Sequence, residues 1–162
     1  MKKKFLMMTV LCAVFAFSAQ AAQRFGNRDG NGYRNAIGLR AGWGLQASYQ
    51  RYVFPGSRVE ADAGINRYGF DAAGIYQWMF NISSRTKGTF KGYAGVGAAL
   101  GDWSFKDAKK EGFSFGVVGQ AGMEYTFRIP MLLSLDYRPG WYFTPVSDFD
   151  WSGFAIGVRY CF

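Results

Sequence analysis

The chain has 162 residues and a formal net charge of +8, a length suited to one domain. It is 19% aromatic and has 22 Gly against 4 Pro, a mixture that fits many strands joined by tight turns. It contains no His, which removes the usual general base at neutral pH, and its charges alternate in sign instead of forming the basic stripe that nucleic acid binding requires.

The first segment predicts export. Lys2, Lys3 and Lys4 precede an apolar run over residues 5–17, and Ala19 and Ala21 supply the small residues of a cleavage site. That run is shorter than the roughly 20 residues of a spanning helix, so residues 1–21 read as a cleaved signal peptide, not an anchor. Cys12 follows Leu11, where lipoprotein processing prefers a small residue, and reads as part of the signal. Cleavage leaves about 141 residues, lowers the net charge from +8 to +5 and retains only Cys161, so no intramolecular disulfide is expected. Residues 22–34, rich in Gly, Asn and Arg, read as a flexible leader, and residues 35–162 as a single barrel domain.

Eight strands are expected in that domain, joined up-and-down. The first two cover about residues 36–43 and 45–53, with a turn at Gly42 to Gly44 between them. Phe54-Pro55-Gly56-Ser57 makes the next turn. Val59, Ala61, Ala63 and Ile65 then alternate with Glu60, Asp62 and Asn66. A turn over residues 67–70 leads to a strand near 72–80, and a polar turn over 81–88 to a strand near 90–100. A loop over 102–112 follows. The clearest alternation runs over residues 113–127, where Phe113, Phe115, Val117, Ala121, Met123, Tyr125 and Phe127 share one parity and Val118 is the bulky exception on the other. Arg128-Ile129-Pro130 turns the chain into Met131, Leu133, Leu135 and Tyr137, alternating with Ser134, Asp136 and Arg138. A loop over 142–152 precedes the last strand, where Phe154, Ile156, Val158, Tyr160 and Phe162 alternate with Ala155, Gly157, Arg159 and Cys161.

Which face is apolar separates a soluble carrier barrel from a membrane barrel. The non-apolar face holds Arg40, Gln46, Ser48, Gln50, Glu60, Asp62, Asn66, Gln77, Gln120, Glu124, Asp136, Arg138 and Arg159, interleaved with glycines that suit a narrow lumen. A Lys or Arg on a lipid face costs about 2–4 kcal/mol near the midplane, so this polar face is expected inside. Arg40, Arg138 and Arg159 are then expected to pair with Glu60, Asp62, Glu124 and Asp136 in a filled lumen. Trp43, Tyr49, Trp78, Phe80, Phe90, Tyr125, Phe127, Trp141, Phe154 and Tyr160 read as interfacial girdles. The fold class is therefore all-β, an eight-stranded antiparallel up-and-down transmembrane barrel.

Three segments, Gly38-Leu39-Arg40-Ala41-Gly42, Ser134-Leu135-Asp136-Tyr137-Arg138-Pro139 and Gly157-Val158-Arg159-Tyr160-Cys161-Phe162, carry a resemblance. Over residues 35–162 the chain resembles the small outer-membrane barrels of the OmpA/OmpX type, in the form found in Bacteroidetes. The resemblance implies location in the outer membrane, contact with its lipids and lipopolysaccharide, and an assembly signal in Tyr160 and the terminal Phe162 read by the outer-membrane assembly machinery. Cys161, penultimate in the chain, departs from the pattern.

Few residues suggest further chemistry. Enzymatic small barrels of the outer membrane resemble one another in using His, which is absent here. Glu60 and Asp62 share one strand face as a possible carboxylate pair, but ion pairing with the lumen arginines is the simpler expectation. Lys106, Lys109 and Lys110 stand beside Asp107 and Glu111, able to meet lipid phosphates or simply to be solvated. Phe143, Phe149 and Trp151 stand beside Asp148 and Asp150, fitting either a partner surface or the lipid interface. No cofactor, metal or catalytic residue is expected. A structural or surface-interaction barrel is the first functional reading. A narrow pore for water, ions or small solutes is the alternative, and a lipid-modifying enzyme a distant third.

Overall fold

A computed structural model describes residues 33–66, 69–85, 88–104, 111–143 and 148–162. The expected signal peptide, most of the leader, and Lys106, Asp107, Lys109 and Lys110 lie outside these residues. Ten strand segments follow in order: β1 (Asn35–Ala41), β2 (Gly44–Phe54), β3 (Ser57–Asn66), β4 (Gly69–Arg85), β5 (Gly88–Ser104), β6 (Glu111–Phe127), β7 (Met131–Tyr137), β8 (Gly140–Tyr142), β9 (Asp148–Asp150) and β10 (Phe154–Cys161). Each pairs antiparallel with its neighbours, β7 and β8 form one barrel strand, and β9 and β10 form another. The resulting eight strands close where β1 pairs with β10, from Ala36 opposite Cys161 to Ala41 opposite Ile156.

Two local features follow directly from residue type. At the β2–β3 turn Pro55 fixes one φ and Gly56 takes a φ of 76°, as a turn with a left-handed third position demands. Between β7 and β8, Pro139 has no N–H to give to the ladder. The β6 side keeps its register there, with Gly119 N donating to Pro139 O at 2.9 Å. On the other side Tyr137 faces Phe154 while Gly140 faces Asp150, so Trp151, Ser152 and Gly153 bulge opposite Arg138 and Pro139. Asp150 accepts a 2.8 Å bond from Ser152 N to shape the bulge. A Cβ on Gly153 would fall 1.9 Å from Arg138 O, so glycine is required for this approach.

The strands differ from the expected ones mainly in length. The supposed polar turn over 81–88 is largely strand: Asn81 pairs with Lys91 and Arg85 with Gly88, with an irregularity between Asn81 and Ser83. Apolar alternation stops there while the backbone ladder continues, because pairing needs only main-chain groups. The loops over 102–112 and 142–152 are shortened in the same way, β5 reaching Ser104 and β8 pairing with β9. Nor is the leader wholly free: Tyr33 is buried, with its ring edge-on to Tyr52 at 5.8 Å.

The polarity of the barrel is inverted relative to a soluble protein. Leu39, Val96, Val117, Leu133, Leu135, Ile156 and Val158 point outward and are exposed, whereas Arg58, Glu60, Gln77, Glu124 and Arg159 are fully buried inside. Outward aromatics gather at both rims. Trp43, Phe113, Trp141, Trp151 and Phe154 lie toward the end where β1 turns into β2, here the loop end, and Phe54, Phe80, Phe127, Tyr160 and Phe162 lie toward the opposite, turn end. Val118, the exception in its alternation, faces inward with Ile75 and Ala99 as a small apolar cluster in the lumen.

Candidate functional site: the lumen and its loop-end cavity

Strand parity delivers the paired charged side chains from five barrel strands into one narrow space. Glu60 is the hub. Its Oε1 accepts from Arg138 at 2.7 Å and Gln120 at 3.2 Å, and its Oε2 accepts from Gln77 at 3.1 Å, Arg159 at 3.4 Å and Gln50. Arg138 also donates to Asp62. Arg159 is steadied by Ser48 Oγ at 2.9 Å and Ser134 Oγ at 2.6 Å. Nearer the loop end, Arg40 holds Asp136 through two nitrogens, at 2.5 and 3.1 Å, and donates to Gln46 at 2.8 Å. Nearer the turn end, Arg58 meets Glu124 at 2.5 Å, donates to Gln77 and lies 4.8 Å from the Tyr93 ring centroid.

All seven charges singled out from the sequence face this lumen, but their partners are not all within that set. Glu124 is paired with Arg58, which the alternation beginning at Val59 leaves out although Arg58 shares the parity of Glu60 and Asp62. Tyr93, Lys91 and Asp71 were also missed. They sit on strands whose Gly and Ala residues blur the alternation, and only the register of β3, β4 and β5 assigns them inward. Tyr160 and Phe162 point outward, and Phe162 is held at the seam by its N–H to Asn35 O at 2.8 Å.

The arithmetic of the network is balanced: Arg40, Arg58, Arg138 and Arg159 meet Asp136, Glu124, Asp62 and Glu60. Such balance is the condition for burying charge, since an ion left alone in a poorly hydrated interior costs several kcal/mol. Inner-wall glycines do not leave voids. At Gly157 a Cβ would come within 2.5 Å of both the Arg159 guanidinium and Ser134 Oγ, so the missing side chain is the space that the arginine fills.

Both ends of the network are closed differently. At the turn end Tyr33, Ala36, Tyr52, Leu132 and Cys161 form an apolar plug, with Lys91 lying 5.3 Å from the Tyr52 ring. At the loop end the lumen widens into a cavity of about 310 Å³ floored by Arg40 and Arg138.

Known family models, curated proteins and solved structures offer no match to this chain. The closed eight-stranded antiparallel barrel is consistent with the OmpA/OmpX type of fold, and function has to be argued from the two faces and the lumen. Around the mouth, Trp141 and Phe149 meet edge-on at 6.0 Å and Phe149 and Trp151 at 4.3 Å, making an aromatic ledge on the β8–β9 hairpin.

Proposed function

We propose that this protein is an integral outer-membrane barrel of the OmpA/OmpX type, exported by a cleaved signal peptide, with a filled polar lumen and a structural or surface-interaction role. The observation that carries the reading is the inversion of faces. A soluble barrel exposing Leu133, Leu135, Ile156 and Val158 in one continuous belt would aggregate, while the same belt between two aromatic rims matches a bilayer. Backbone closure supports it, since a spanning sheet must leave no unpaired edge in hydrocarbon. Arg51, outward on β2 near the turn end, can reach headgroups with its long stem.

The completeness of the charge network favours a filled lumen over a pore. Arg58, Glu60 and Gln77 have no exposure at all, so the middle layer holds no water path of its own. The same ion pairs commit Glu60 and Asp62 to Arg138 and Arg159, which favours a structural role for the two carboxylates. The test is depth-dependent quenching in vesicles of acyl-brominated lipid. Tryptophan placed by Leu135→Trp should be quenched strongly by bromines deep in the acyl chain, against a Trp-light background variant of the same chain. A chain that stays soluble without detergent or lipid, with Leu135→Trp unquenched, would overturn the membrane reading.

A further inference from the structure

Charge is sorted along the barrel axis outside the ion-pair network. The turn-end stretches over residues 33–36, 51–58, 79–91, 124–132 and 160–162 hold Glu124 as their one acidic side chain, and Glu124 is paired with Arg58 inside the lumen. The loop-end stretches over residues 66–71, 101–113 and 142–152 all carry acids. On the outer wall of the turn end, Arg51 is half-buried and Arg128 is exposed, and neither meets a carboxylate among the described residues. Both lie on the aromatic rim. Arg51 faces Asn35 across the β1–β2 ladder, and Asn35 O accepts from Phe162 N at 2.8 Å, while Arg128 directly follows Phe127. The wall around Arg51 supplies no counter-charge. It stands opposite Val59 on β3 and between Tyr49 and Val53 on its own face of β2, and the Tyr49 hydroxyl donates to Asn35 Oδ1 at 3.0 Å.

We propose that the turn-end rim binds anionic phospholipids, with one lipid phosphate held at Arg51 and another at Arg128. The inference rests on the membrane reading and adds a lipid class to it. An arginine on the outer wall of a membrane barrel is tolerated near the interface, where its long stem lets the guanidinium reach the headgroups. Its counter-ion there has to come from outside the chain, since no described carboxylate serves Arg51 or Arg128. The guanidinium fork presents paired N–H donors that match phosphate oxygens. Net charge sets the preference. A zwitterionic headgroup brings the same phosphate together with its own ammonium, which an arginine rim repels, whereas an anionic headgroup carries the sign that this rim lacks. Apolar contact for the top of the acyl chains flanks each arginine, from Val53, Phe54 and Val59 around Arg51 and from Phe127 and Ile129 around Arg128, all of them exposed.

Competition between lipids at a local reporter tests this. The full exported chain, with its fold checked by heat-modifiable migration, would be placed in vesicles that mix phosphatidylcholine with phosphatidylglycerol, one or the other brominated high on the acyl chain. In the Trp-light background, Val59→Trp puts a tryptophan across the ladder from Arg51, and Leu135→Trp puts one on the lipid-facing belt of β7. Brominated phosphatidylglycerol should occupy the position beside Val59→Trp about fivefold more readily than brominated phosphatidylcholine, the preference expected of one arginine near an anionic headgroup. Leu135→Trp should be quenched equally by both. Arg51→Gln should bring the two lipids close to equality at Val59→Trp, while Arg51→Lys keeps most of the preference. Ile129→Trp with Arg128→Gln repeats the measurement at the second arginine, so that misfolding of one variant leaves the test intact. Leu135→Trp quenched, with no preference for phosphatidylglycerol at either arginine, overturns this proposal alone. A preference that survives Arg51→Gln or Arg128→Gln overturns it equally. Leu135→Trp unquenched by either lipid overturns the membrane reading and this proposal with it.

Discussion

Glu60→Gln is the sharpest perturbation of the lumen, because it changes charge while keeping volume and shape. In the native barrel both carboxylate oxygens accept: Oε1 from Arg138 and Gln120, Oε2 from Arg159, Gln77 and Gln50. A glutamine keeps one acceptor oxygen and presents an NH₂ where the other was, so whichever way it turns, at least two donors lose their acceptor. Arg138 retains Asp62 as a counter-ion, but Arg159 keeps no carboxylate in either orientation, only neutral oxygens such as the hydroxyls of Ser48 and Ser134. Stranding one buried member of an ion pair costs about 3–5 kcal/mol. With a urea slope of about 2 kcal/mol/M, the unfolding midpoint in lipid vesicles should fall by roughly 2 M. The double variant Glu60→Gln with Arg159→Met removes the stranded cation and should recover a large part of the loss, a coupling that the double-mutant cycle measures. A single variant within about 0.5 kcal/mol of wild type, or a double variant no better than the single, would refute the filled and balanced lumen.

The same geometry yields three further expectations. Arg138→Met uncouples Asp62 and part of Glu60 beneath the cavity, so it should lower stability by about 3–5 kcal/mol and raise conductance in planar bilayers; a wild type that already conducts stably, with no change on substitution, would favour the narrow pore. Gly157→Leu should destabilise by about 1–3 kcal/mol because its side chain enters the Arg159 guanidinium site, whereas Gly74→Ala, with open space around its Cβ, should be tolerated in the same chemical unfolding series. Phe162→Ala keeps the backbone bonds to Asn35, so a drop in heat-modifiable protein in cells with normal refolding in vesicles would isolate the assembly signal; equal cellular yields would remove that role.

Alternation of residue type was enough to define eight strands, the faces of the most regular of them and the all-β antiparallel barrel. Period two is a local property: Phe113, Phe115 and Val117 declare an apolar face, as do Ile156, Val158 and Tyr160, without reference to any other strand. Local pattern failed where local pressure ceased. Asn81 to Arg85 continue as strand without apolar alternation, and the bulge at Trp151 to Gly153 answers a proline on the neighbouring strand. Pairing partners within the lumen lay beyond the sequence altogether. Arg58 meets Glu124 and Arg40 meets Asp136 across separations of 66 and 96 residues, and these matches depend on how far each strand is displaced against the next around the closed ring. That displacement also places Asp71 and Asp150 at the loop-end cavity, while Asp136 and Glu124 form direct ion pairs with Arg40 and Arg58. Parity along a strand shows that a charge points inward; only closure of the barrel decides what it meets there.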